Sequence, residues 1–145
     1  MRKTSGIAAL FFASAFLFGQ APEPEHLTVQ HILIAFQGTI PDAGITRSQT
    51  DAQKLAQELL MRARQEEDFD VLVRQYTNDA YTGIYSMANS GAVPDAANKE
   101  FSRARMVKTF GDVSFGLNVG EIGMAAYDPL TSNYGWHTLS VSSRI

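Results

Sequence analysis

The sequence predicts an α+β domain of four strands and about four helices. Three observations carry that reading. Thr28 to Phe36 alternates as a strand, with apolar residues on both of its faces. Ala52, Leu55, Ala56, Leu59, Leu60 and Ala63 form a helical stripe. The stretch from Arg105 to Ile122, closed by Tyr134-Gly135-Trp136-His137, reads as a short helix, a tight turn and a final hairpin.

Each element follows from its own pattern. In the first strand Val29, His31, Leu33 and Ala35 share one face, and Gln30, Ile32, Ile34 and Phe36 share the other. A strand apolar on both faces is central and buried, so His31 points into the interior. Residues 37–47 form a loop punctuated by Gly38, Pro41 and Gly44. Ser48-x-x-Asp51 marks the first helix start, and Phe69, Leu72, Val73 and Tyr76 mark a second, shorter helix. Thr77-Asn78-Asp79 is expected to cap a further short helical turn. Gly83 to Met87 reads as a brief second strand, and 88–99 as loop. Val107, Phe110, Val113 and Leu117 recur at helical spacing. Ile122 to Tyr127 and Trp136 to Ser142 complete the sheet.

The 145 residues suit one domain, and 45% apolar with 19% charged residues is ordinary globular composition. With no cysteine, disulfides, thiolate metal sites and cysteine nucleophiles are excluded. Arg2 and Lys3 precede an uncharged apolar run from Gly6 to Phe18, and Gly19-Gln20-Ala21 offers small residues at a cleavage site. This is the layout of a signal peptide over residues 1–21, too short in its apolar run for a membrane anchor. The expected product is an exported protein, periplasmic or extracellular, with no stable membrane insertion after cleavage. A short linker over 22–27 and a domain over 28–145 would follow. The leader holds two of the 12 basic and none of the 15 acidic residues, so ten basic against 15 acidic leave a net −5. Such an acidic domain is a poor nucleic-acid binder.

The motifs in this chain resemble those of the parvulin family of peptidyl-prolyl isomerases. They are Met106 and Phe110 four residues apart, Gly120-Glu121, Tyr134-Gly135-Trp136-His137, and the distant Gln30-His31-Ile32-Leu33-Ile34. The resemblance covers roughly Val29 to Leu139. It implies a four-stranded antiparallel sheet surrounded by about four helices. It also implies a metal-free, cofactor-free and non-covalent isomerase acting on Xaa-Pro bonds in unfolded or proline-containing polypeptides. A monomer is expected.

The resemblance also assigns candidate residues. Met106 and Phe110 match the proline pocket, although their spacing alone equally suits core packing. Either Tyr85 or Met87 would supply a third apolar wall. His31 and His137 match the paired histidines at the floor of the site, where their role is either catalytic or purely structural. Asp79 stands where the family holds cysteine or aspartate; it could orient the histidines, or simply cap a helix. Ser132 replaces a frequent threonine and keeps a hydroxyl that could join the network. Three histidines give no cluster at metal spacing. A hydrolytic triad of Ser132, His137 and Asp79 lacks any nucleophile elbow.

Two departures matter. The loop over 37–47 has Arg47 as its only base, so no preference for phosphorylated substrates is expected. The family's Gly-Gly-Asp-Leu-Gly segment is replaced by Gly83-Ile84-Tyr85-Ser86-Met87. The rival to the enzyme is a non-catalytic parvulin-fold module that holds unfolded chains.

Overall fold

Strand β1 (His26–Ile34) occupies the middle of the sheet, as its two apolar faces require. The computed structural model of the chain describes residues 22–145, and the expected signal peptide lies outside the described residues. The remaining elements are α1 (Gln49–Arg64), α2 (Phe69–Tyr76), β2 (Ile84–Ala88), β3 (Phe101–Ser102), a 3-10 turn (Arg103–Arg105), α3 (Lys108–Gly116), β4 (Ile122–Ala125) and β5 (Trp136–Arg144). The strand order is β3-β2-β1-β5-β4. β1 pairs antiparallel with β2 and β5, and β4 antiparallel with β5, whereas β3 runs parallel to β2.

The sheet is therefore five-stranded and mixed, rather than four-stranded and antiparallel, and among the described residues three α-helices stand where about four were expected. The extra strand is only two residues long and lies in a polar stretch with no alternation to betray it. The missing helical turn has a physical cause. Beyond Gln30, β2 no longer pairs with β1, and the edge of β1 needs other partners. Leu33 N donates to Thr77 Oγ1, Asn78 N donates to Leu33 O, and Ala35 N donates to Asn78 Oδ1. Residues 77–79 serve as a surrogate strand there.

Two cores flank the sheet. Ile32, Ile34, Leu72, Val73 and Trp136 pack with Ala52, Ala56 and Leu59 of α1 on one side. Leu27, Val29, Met87, Leu139 and Val141 pack with Phe110 and Phe115 of α3 on the other. α1 begins as expected, with the Ser48 side chain accepting from Asp51 N, and Asp68 caps α2 in the same way through Val71 N. The span 22–27 contributes His26 and Leu27 to β1, and Glu23 pairs with Arg103 at 2.6 Å. No helix of the described residues is long and apolar enough to cross a membrane.

Two glycines permit approaches that no side chain would allow. A Cβ on Gly135 would lie 2.2 Å from Ile34 O, at φ +144°. A Cβ on Gly83 would lie 2.7 Å from His31 O, at φ +68°. These contacts press both ends of the candidate site against β1.

Candidate active site

β1 and its neighbour β5 place His31 and His137 side by side. His31 pairs with Leu139 and Leu33 with His137, so the two histidines project from adjacent strands at a diagonal offset. Their rings stack at 5.3 Å with an interplanar angle of 17°, and their Nδ1 atoms are 3.1 Å apart. Both are buried, at 3% and 4% exposure. The Phe110 ring stands edge-on to each, 5.2 Å from His31 and 5.4 Å from His137.

Asp79 completes the row. His31 Nε2 lies 2.9 Å from Asp79 Oδ2, and the Tyr85 hydroxyl donates to that same oxygen at 2.7 Å. The hydrogen bond from His31 holds the Asp79 carboxyl far below the usual carboxylate range; Tyr85 adds to this, against the opposing effect of partial burial. Burial, reinforced by the hydrogen bond to Asp79 and then by its charge, pushes the Tyr85 phenol up to about 12. Burial pushes His137 down to about 3, and the charge of a protonated His31 would act in the same direction, so His137 is neutral at physiological pH.

These facts set the hydrogen order. An ionised carboxylate only accepts, so His31 Nε2 carries a hydrogen and donates it. In a row of two neutral imidazoles, His31 Nδ1 is bare and accepts from His137 Nδ1–H. His137 Nε2 is then a bare acceptor, buried and without a partner among the described residues.

Above this floor opens a cleft of about 310 Å³. Met106, Val107 and Phe110 form one wall, Tyr85 and Asp79 another, and Leu33, Ile40 and Tyr134 complete it. Met106 is not helical; it follows the 3-10 turn in extended conformation, and Val107 stands at the N-cap position of α3 without a side-chain cap. Of the two candidates for the third wall, Tyr85 lines the cleft, whereas Met87 is fully buried in the core. They share one face of β2, two residues apart, and only Tyr85 reaches past the core to the opening.

Ser132 is fully buried, and its hydroxyl donates to Gly135 O at 3.2 Å rather than to an imidazole. It pins the turn closed by Asp128 and Ser132. Arg47 Nη1 turns inward, donating to Ala35 O at 2.9 Å and Asn78 Oδ1 at 2.6 Å. Ile40 and Asn78 are cleft residues that the sequence reading did not single out. The loop 37–47 also holds Ile45, so nothing local marks Ile40 as the one that reaches the cleft.

Comparison with known proteins agrees with this architecture. The family described as the PPIC-type PPIASE domain matches residues 17–144. The chain belongs to this family of peptidyl-prolyl isomerase domains. It is similar to a "Foldase protein PrsA" of Geobacillus sp. (strain WCH70), 29% identical over 93 residues, which is 63% of this chain and 29% of that protein. It is also similar to a "Chaperone SurA" of Chromohalobacter salexigens, 29% identical over 117 residues, 80% of this chain and 22% of that protein. The chain thus spans less than a third of the length of these curated relatives. A solved structure described as "Solution structure of the TbPIN1" covers 82% of this chain and 98% of its own, with a TM-score of 0.56 at 21% identity. The fold is α+β and parvulin-like.

Proposed function

We propose that this protein is a peptidyl-prolyl cis/trans isomerase that assists the folding of exported, proline-containing polypeptides. One observation carries the reading: an apolar cleft walled by Met106, Phe110 and Tyr85 stands directly over the His31–His137 pair. The cleft is of the size and character that takes an apolar ring with a few polar groups at its base.

The chemistry required is modest. A peptide bond resists rotation by about 18–20 kcal/mol through its partial double-bond character. Exchange at a bond preceding proline takes about 10–100 s without help. No covalent bond breaks during rotation. Met106 and Phe110 grip the proline ring, while the preceding carbonyl swings past the polar floor. The twisted amide has lost resonance and prefers surroundings less polar than water, which the apolar walls supply. Asp79 and the two imidazoles present a fixed field that needs no reorganisation as the bond turns. A thousandfold acceleration requires only about 4 kcal/mol of such preference.

The leader over 1–21 supports export, with cleavage after Ala21 leaving a domain that starts at Pro22. Edman sequencing of the mature protein tests this, and an intact Met1 start in the exported fraction would contradict it. The isomerase reading is tested by NMR exchange on Ala-Xaa-Pro peptides with the wild type and Met106→Ala. A folded wild type without acceleration would leave the binding module, which holds unfolded chains in the same cleft.

A further inference from the structure

We propose that Tyr85 is a positioning residue: its hydroxyl, donated to the Asp79 oxygen that also takes the His31 Nε2 hydrogen, holds both histidines in one tautomeric order. Its part in isomerisation rests on the function proposed above; the tautomeric order does not.

The ring and the hydroxyl of Tyr85 do different work. The ring packs edge-on against His31 at 5.3 Å and against Phe110 at 6.0 Å, and phenylalanine would fill that space equally. The hydroxyl goes to Asp79 Oδ2 at 2.7 Å, beside the 2.9 Å contact from His31. Asp79 needs this second donor. Its side chain is 31% exposed, so water competes for it, and a carboxylate turns easily about its last torsion. Two donors on one oxygen fix the plane of the carboxylate and aim Oδ2 at His31 Nε2. With its phenol pushed up to about 12, Tyr85 remains a donor throughout the physiological range.

The consequence runs along the row. With Oδ2 held against it, a neutral His31 keeps its hydrogen on Nε2 and His137 keeps its hydrogen on Nδ1. Without the hydroxyl the carboxylate turns more freely and Oδ2 is no longer aimed at Nε2. The opposite order, with hydrogens on His31 Nδ1 and His137 Nε2, then becomes populated.

The test is Tyr85→Phe in the full chain, with folding checked by its amide spectrum. Imidazole ¹⁵N shifts, recorded at neutral pH without substrate, report the tautomers directly. The expected result is a single order in the wild type and a mixture of the two orders in Tyr85→Phe. Identical patterns in the two proteins would overturn the proposal. A kinetic arm asks whether Tyr85 acts through Asp79. Tyr85→Phe should lower kcat with KM nearly unchanged, and should add nothing in an Asp79→Asn background. Equal losses in both backgrounds would mean that the hydroxyl acts independently of Asp79, and would overturn the positioning role. If the wild type shows no isomerase activity but the ¹⁵N difference appears, the functional reading fails and the positioning role stands.

Discussion

The Nδ1 atoms of His31 and His137 stand 3.1 Å apart, so the two imidazoles share a single hydrogen across that gap. Because Asp79 takes the hydrogen on the far side of His31, the neutral row has a direction, from the half-buried carboxylate to the buried Nε2 of His137. Predictions about the site follow from that direction.

Asp79→Asn removes the charge that orders the row while keeping its volume. An amide oxygen in the place of Oδ2 can still accept from both donors, but without the charge both bonds weaken. Hydrogen bonds to a charged group are worth about 1.5–3 kcal/mol, so kcat/KM should fall roughly ten- to a hundredfold. Peptide exchange spectroscopy measures this. An unchanged rate would assign Asp79 a structural part only.

His137 gives the fold a pH dependence. Its folded value, about 3, lies below its ordinary 6.5, so the unfolded chain binds the extra proton in between. Its contribution to stability is whole above pH 6.5 and is lost as pH falls from 6.5 toward 3. Asp79, also depressed, adds a loss below its ordinary 3.8. Urea midpoints taken from pH 7 to pH 4 should fall steadily, and fall less steeply in His137→Phe. Equal slopes in the two proteins would contradict the burial argument.

Gly135→Ala places a methyl group 2.2 Å from Ile34 O and adds strain at φ +144°, so it should cost at least about 2 kcal/mol. Gly38 has φ +87° but nothing within 4 Å of its Cβ position. Gly38→Ala should cost only about 1 kcal/mol, from backbone strain alone. Denaturant unfolding of the pair separates close approach from conformation.

Ser132→Ala leaves Gly135 O without its hydroxyl donor in a buried turn. The expected loss is about 1 kcal/mol of stability, with the imidazole ¹⁵N pattern unchanged. A shifted pattern would mean that the hydroxyl reaches the histidines after all.

Much of this fold was legible because its main signals are periodic. β1 shows apolar residues on both faces, and α1 shows an alanine-rich stripe behind the Ser48 cap. What the sequence hid was set by contacts without a period. β3 is two residues paired with β2, too short to show a period. Thr77 and Asn78 look like a helix cap until one asks which groups satisfy Leu33 and Ala35. Met106 shares helical spacing with Phe110 yet lies outside α3, because the 3-10 turn ends just before it. Tyr85 and Met87 face the same way, and only the depth of the core under β2 separates a cleft wall from a core residue. The proximity of His31, Asp79 and His137 was expected from the family motifs; the hydroxyl on Asp79 was not, since nothing local marks Tyr85 as its donor.

The most direct test of the central claim is the cis/trans exchange rate of an Ala-Xaa-Pro peptide, measured by NMR with and without the protein. Met106→Ala serves as the comparison, since this wall residue is only partly buried and its loss leaves the Phe110 core in place. The account predicts clear acceleration by the wild type, and a fall of about tenfold in kcat/KM for the variant as one apolar wall of the cleft is lost. A folded wild type that leaves the exchange rate unchanged would contradict it.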